Sequence, residues 1–485
     1  MTAPALPQVL QVAQVHPPAQ TPLRLAFYGD DFTGATDALE VLAFAGLRCA
    51  LFLTPPTSQA LQQLGGFDAI GVAGNSRSMS PAEMDSALPA VFEALAALGA
   101  PIIHYKVCST FDSSPSIGSI GHVMDIARQT FGPAVIPIVA ATPALARYCV
   151  FGNLFARSGT DGRTYRIDRH PIMSAHPVTP MAESDLTIHL GQQTAQAIEK
   201  FELPNFALGR DAMAANFASL TREPATALLL DGVTREHLTE VGRLLELHAQ
   251  QHRPVFAVGS SGLEYALTQW WAQGQPASAT PREFDHFAAV DKVLAISGSA
   301  SALSAVQIDT ALAAGFADVP IDACALVDAA QWQDASAALV ARVTALLVAG
   351  RSVMLHTARG PGDARIEALI ASLIARGDTR EQARHGGGRL LGLRLGLIVQ
   401  AVLTVVTVLT ATPLRRLLLS GGDTSSQITR VLNPDALVIE ARLAPGAPLC
   451  RAVSEQPHLK ALQIALKGGQ MGDASYFVKA LRGTT

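Results

Sequence analysis

Short apolar runs that end in a knot of small polar residues, and then open a helix, recur along this chain. They constrain its fold more than any other feature. The fullest case is residues 416–431, RLLLSGGDTSSQITRV. Leu417, Leu418 and Leu419 read as a buried strand, Gly421 and Gly422 break it, and Asp423, Thr424 and Ser425 are residue types that cap a helix. Glycine lets a backbone approach an anion closely, and the free N–H groups of a first helical turn point at it. A plain capped connection would look the same over this stretch alone, and no Lys follows the glycines as it does in a P-loop.

The chain opens in the same way. Residues 23–28 read as a strand, Gly29-Asp30-Asp31-Phe32-Thr33-Gly34-Ala35 as a loop, 36–45 as a helix and 47–53 as the next strand. This βαβ unit places the acidic loop at a strand's carboxyl end, where ligands bind in open parallel sheets. A strand at 69–73 leads into Gly74-Asn75-Ser76-Arg77-Ser78, and one at 101–105 leads into Lys106-Val107-Cys108-Ser109-Thr110. The Arg77 fork suits a carboxylate, while Lys106, Ser109 and Thr110 suit a small polyhydroxy anion. Cys108 has no His at a recognisable nucleophile–base spacing. The three polar strand ends are expected to converge on one crevice.

Further along, a strand at 134–140 is followed by Thr142-Pro143, which reads as a helix start. Residues 151–183 are irregular and rich in His and Pro; His170 and His176 there suit a polar lid or packed connector better than a metal site. Strands at 227–231 and 254–258 follow, the second ending in Gly259-Ser260-Ser261-Gly262, which lacks the spacing of a nucleophile elbow. Residues 273–285 have a linker's composition. They divide a leader (1–22) and first domain (23–272) from a second domain (286–485). In the second domain a strand at 292–296 ends in Ser297-Gly298-Ser299-Ala300-Ser301, and Lys467-Gly468-Gly469-Gln470 forms a late glycine turn. The expected fold class is α/β: two domains, each a mainly parallel sheet flanked by helices, with the active site in the cleft between them.

Composition excludes several classes. At 485 residues and 49% hydrophobic content the chain can build two or three large cores. A net charge of −4 with no basic stripe argues against nucleic acid, so anionic ligands must be held by local devices. Five scattered cysteines without a CxxC spacing point to reduced thiols in a cytoplasmic protein. The first residues lack a basic signal-peptide start. Residues 395–412 are strongly apolar, but Gln400 and several threonines favour a buried helix over a membrane span.

Together these motifs resemble the four-carbon acid sugar kinase family. Its D-D-x-T-G-A loop is matched by Asp30 to Ala35, and its K-x-D-S-T-x-R-G loop by residues 106–113. Its G-S-x-S loop is matched by residues 298–301, its G-G-D-T turn by residues 421–424 and its K-x-G turn by residues 467–469. The resemblance covers residues 24–480. It implies a sugar-acid domain followed by an ATP domain, ATP and Mg²⁺ as cofactors, a small sugar acid as partner, and neither nucleic acid nor membrane; a homodimer is left open. Carried over, Asp30, Asp31, Arg77, Lys106, Cys108, Ser109 and Thr110 would meet the acid. Asp31, with Asp30 as alternative, would accept or orient the hydroxyl proton. Ser299, Gly421, Gly422, Asp423, Thr424, Lys467, Gly468, Gly469 and Gln470 would meet ATP, with no resident protein-held metal. Cys108 stands where the family has Asp, its R-G is replaced within residues 111–115, and the last turn is K-G-G-Q. These departures are most similar to the branch acting on 3-oxo-isoapionate, a branched sugar acid. Kinases for 3-oxo-tetronate, threonate or erythronate are the alternative. No G-x-G-x-x-G follows the first strand, which weighs against a nicotinamide-dependent oxidoreductase; a non-catalytic sugar-acid sensor is the remaining class.

Overall fold

The computed structural model describes residues 22–484 except 160, 177, 223–225 and 275–283. All but the last residue of the expected leader, and most of the expected linker, lie outside the described residues.

Fifteen strands form one continuous sheet. Its order is Ala317–Pro320, Val353–His356, Leu294–Ser297, Arg416–Ser420, Gln463–Lys467, Ala447–Val453, Ala436–Ala444, Cys49–Phe52, Ala69–Ala73, Leu25–Gly29, Ile102–Lys106, Val255–Gly259, Ile136–Val139, Thr226–Leu230 and Ala197–Phe201. The strands of the N-terminal half are parallel to one another, and so are the first five of the order. Only the Ala436–Ala444/Ala447–Val453 hairpin runs against its neighbours. The halves join edge to edge where Leu51 faces Leu437. Each half is thus a mainly parallel sheet, as expected, and one ladder links them across the boundary.

The central strands are buried along their whole length, as in LAFYG and RLLLS, because helices cover both faces. Helix Phe32–Phe44 is the crossover from the first strand to the second, and it also packs on helix Gly422–Leu432 and on the hairpin of the other half.

Three expectations change. Thr142-Pro143 opens only a single 3₁₀ turn, Pro143–Leu145, before the chain reverses into a small antiparallel sheet of Arg147–Val150, Asn153–Arg157 and Thr164–Arg166. Ala146 and Phe151, both at positive φ, make the bends that stop a helix there. Part of the 151–183 connector is therefore strand, and His170 and His176 accept local backbone N–H bonds within the rest. The apolar segment at 395–412 belongs to a longer helix, Arg380–Thr410, started by a Thr379–Gln382 capping box. Gly386–Thr410 is long and apolar enough to cross a membrane by length and composition, with half of its most apolar window buried. One face carries Leu395, Ile398, Val399, Val402 and Val406 into the core, and the other leaves Val408 and Leu409 exposed. The helix is half-buried, not buried throughout.

Candidate functional site between the two halves

The acid-side loops meet at the carboxyl ends of Leu25–Gly29 and Ile102–Lys106, which are adjacent and in register from Ala26/Ile103 to Gly29/Lys106. The Asp30 N–H bonds to the Lys106 carbonyl at 2.8 Å, locking the two loops together. Asp30 is buried, and both its oxygens accept from Arg77, from Nε at 2.9 Å and Nη2 at 2.6 Å. Nη2 also reaches Asp31 Oδ1 at 2.9 Å. This is the bidentate geometry that guanidinium and carboxylate share. Burial pushes the Asp30 carboxyl up to about 6, opposed by Arg77 and reinforced by Asp31. Burial also works against the Arg77 charge, but Asp30 and Asp31 outweigh it and hold Arg77 well above its ordinary value.

Asp31 caps helix Phe32–Phe44, its Oδ1 accepting the Gly34 N–H at 2.9 Å. Both described bonds fall on Oδ1, so Oδ2 has no donor among the described residues. Lys106 lies beneath this loop, buried, with Nζ 3.7 Å from Asp37 Oδ2 and donating to its neighbour's carbonyl, Val107 O, at 3.1 Å. A side chain at Gly34 would overlap Asp31 Oδ1 and come within 3.2 Å of that ammonium, so only glycine fits above it. Ser109 is partly exposed beside the site. Thr110 is buried and donates to Asp112 Oδ1 at 2.5 Å, with the Cys108 sulfur 2.9 Å away. Burial and Asp112 push the Cys108 thiol up, so it is a polar neighbour and no thiolate nucleophile.

The nucleotide-side loops are built from small residues. Leu294–Ser297, Arg416–Ser420 and Gln463–Lys467 run in register and end together. A Cβ on Gly298 would overlap Thr424, and one on Gly469 would overlap the Ser299 hydroxyl. Gly421 takes φ +107°, a conformation open to glycine, as it starts helix Gly422–Leu432. Gly422 and Asp423 are exposed at that helix start, Thr424 is partly covered, and Gln470 is exposed beside half-buried Gly468 and Gly469. Ser301 donates to the Gly469 carbonyl at 2.6 Å and so ties the serine loop to the last turn. Lys467 is fully buried, donates to the Gly468 carbonyl at 3.1 Å and sits 5.5 Å over the Tyr476 ring. Among the described residues no carboxylate pairs with it, and burial alone lowers its pKa to about 8.

The two sets of loops face each other. A Cβ on Gly422 would lie 3.7 Å from the Thr33 hydroxyl, so the acidic loop and the glycine turn lie side by side. Farther down the same helix, Glu40 Oε2 accepts the Gly446 N–H at 3.0 Å, and Arg430 Nη2 donates to the Ala73 carbonyl at 3.1 Å. Sequence reasoning passed over Asp37, Glu40 and the buried His104–Glu264 pair, whose Nδ1–Oε1 distance is 2.6 Å. The i, i+4, i+7 spacing of Thr33, Asp37 and Glu40 was the available signal for the first two. His104 and Glu264 are 160 positions apart, and no local pattern connects them.

Among the described residues, no group of three or more His, Cys, Asp or Glu side chains could hold a metal. Mg²⁺ that travels with a triphosphate takes most of its ligands from phosphate and water, so the single exposed carboxylate of Asp423 is a fitting protein contribution.

Comparison with known proteins separates the same two halves. A family model for a sugar-binding N-terminal domain matches residues 25–267, and one for a nucleotide-binding C-terminal domain matches residues 294–477. The chain is 42% identical to a 3-oxo-isoapionate kinase of Paraburkholderia graminis, over 94% of this chain and 93% of the relative. It is 30% identical to a 3-oxo-tetronate kinase of Methylobacterium radiotolerans, over 95% and 99%. A crystal structure from Salmonella typhimurium LT2 superposes with a TM-score of 0.71 at 23% identity, covering 95% of this chain and 99% of that one, a likeness of fold.

Proposed function

The chain belongs to the four-carbon acid sugar kinase family, and from that premise we propose that it transfers the ATP γ-phosphoryl group to a hydroxyl of 3-oxo-isoapionate, giving 3-oxo-isoapionate 4-phosphate. The closeness of Thr33 to Gly422 supports the reading, because the loop proposed for the acid would then lie beside the turn proposed for the phosphates. The substrate choice is supported by the 42% identity to a kinase of that name, against 30% for a 3-oxo-tetronate kinase.

Residues 23–272 form the acid half and 286–485 the ATP half in this proposal. Arg77 Nη1, which has no acceptor among the described residues, meets the substrate carboxylate, with Lys106 adding charge from below and Cys108, Ser109 and Thr110 lining the site. Asp31 uses its open oxygen to orient the acceptor hydroxyl, and Asp30 holds Arg77 in place. The backbone N–H groups of residues 421–424 and 468–470, with Ser299, Lys467 and the Gln470 side chain, hold the phosphates. Mg²⁺, when bound with ATP near Asp423, neutralises charge on the phosphate oxygens. Phosphoryl transfer depends chiefly on such positioning and charge neutralisation.

The test is ADP release from ATP and Mg²⁺ with 3-oxo-isoapionate, 3-oxo-tetronate, threonate and erythronate as acceptors. The highest kcat/KM is expected for 3-oxo-isoapionate. A higher value for a linear four-carbon acid would move the enzyme to the other branch, and no acid-dependent ADP would end the kinase reading.

A further inference from the structure

Helix Phe32–Phe44 carries one stripe toward the nucleotide half. Near its start Thr33 lies beside Gly422 across the boundary, and farther along Glu40 accepts the Gly446 N–H. Asp37 lies between them at the same helical spacing, four residues after Thr33 and three before Glu40. Its side chain keeps 21% of its surface open, close to the 29% of Asp31.

The two carboxylates of the preceding loop are tied to Arg77. Asp30 is buried with both oxygens on Arg77, and Asp31 spends Oδ1 on the helix cap and on Arg77. Asp37 has Lys106 at 3.7 Å as its ion-pair partner among the described residues, on a geometry looser than a hydrogen bond.

We propose that Asp37 is the general base of the transfer, with Asp31 orienting the hydroxyl that Asp37 deprotonates. This inference rests on the kinase reading above. The acceptor hydroxyl gives its proton to an Asp37 oxygen, and the oxygen lone pair forms the new bond to the γ-phosphorus of ATP. The bond from that phosphorus to the β–γ bridging oxygen breaks, and its electron pair leaves on ADP.

The surroundings suit a proton acceptor. Burial raises the Asp37 carboxyl, Lys106 from the Ile102–Lys106 strand and the Ser261 hydroxyl before helix Gly262–Gln273 oppose this, and Glu264 and Asp31 add to it. Glu40 on the same helix and Tyr265 on helix Gly262–Gln273 are the other titratable neighbours, with Arg442 facing Glu40 from the hairpin. A raised carboxyl is a better base near neutral pH than one at its ordinary value.

The test is steady-state kinetics of wild type, Asp37→Asn, Asp37→Glu and Asp31→Asn from about pH 5 to about pH 9, with melting curves as a check on folding. For Asp37→Asn, kcat is expected to fall about 10²–10⁴-fold with little change in either KM, and the acidic limb of log kcat against pH should vanish. Asp37→Glu should keep the limb and turn over faster than Asp37→Asn, which tests the idea even if the Asn protein folds poorly. Asp31→Asn should lower kcat and keep the limb. The proposal is overturned if Asp37→Asn keeps the limb, or if Asp31→Asn loses it. A purely structural ion pair with Lys106 would instead lower the melting temperature and raise the KM for the acid, with the profile unchanged. Acid-dependent ADP release by the wild type reads the kinase assignment separately in the same assay.

Discussion

The two loop systems that meet at Thr33 and Gly422 treat charge in opposite ways. On the acid side the two loop cations already face carboxylates: Arg77 faces Asp30 and Asp31, and Lys106 faces Asp37. On the nucleotide side the buried Lys467 has no carboxylate among the described residues, and its contacts are the Gly468 carbonyl and the Tyr476 ring. A compensated network is stiff and preorganised before any ligand arrives. An uncompensated buried cation is costly until an anion reaches it. In the proposed kinase the acid side would serve orientation, and the nucleotide side would gain its electrostatic balance from the triphosphate.

Breaking the compensated side should have the largest effect. Arg77→Ala leaves Asp30 buried without its partner, and losing one member of a buried pair costs about 3–5 kcal/mol. Melting temperature and acid-dependent turnover should both fall sharply. The stability deficit should narrow as pH drops and Asp30 takes up a proton. A deficit that is independent of pH would mean that Arg77 stabilises the fold by packing alone.

The uncompensated side should respond differently. Lys467→Met is expected to raise the melting temperature without ATP, since it removes an unpaired buried charge. The KM for ATP should rise about 10–100-fold, the range of a charge-assisted contact, and that for the acid should hardly move. With its pKa lowered to about 8, Lys467 loses its proton as pH climbs through that value. The wild-type KM for ATP should therefore rise above about pH 8, a dependence absent from Lys467→Met. An effect confined to the acid would reverse the assignment of the two halves.

How much of this was legible in the sequence follows from how local each feature is. The Asp30–Asp31 loop and the Gly421–Gly422 turn are strand-to-helix junctions, so a few neighbouring residues reveal them. The fold class was legible for the same reason: each apolar run followed by a polar turn is one unit of a parallel sheet. The small sheet after Pro143 was not, because two bends at non-glycine residues, Ala146 and Phe151, carry no turn signature. The Leu51–Leu437 ladder was invisible because it joins edges 386 positions apart (437 − 51). The partner that orients Arg77 was not legible either: Asp30, 47 positions away, takes two of its nitrogens.

The smallest effect expected is at the seam, where the two kinds of site touch. Glu40 belongs to the acid-side helix but takes its bond from Gly446 of the nucleotide side. Burial, with Asp37 adding to it, pushes its carboxyl up to about 7 from an ordinary 4.5, while Arg442 and the Gly446 bond pull the other way. A carboxyl raised in the folded state contributes stability that is complete below about 4.5 and lost as pH rises through about 7. Glu40→Gln keeps an oxygen for the Gly446 N–H and removes that loss. It should match wild type near pH 4.5 and exceed it above pH 7 by roughly 1–3 kcal/mol, read as melting temperature against pH. An equal difference at both pH values would mean that the residue acts through shape, and that the seam senses no charge. A gain that grows as pH rises through about 7 would mean that the ionised Glu40 weakens the seam despite Arg442 and the Gly446 N–H beside it.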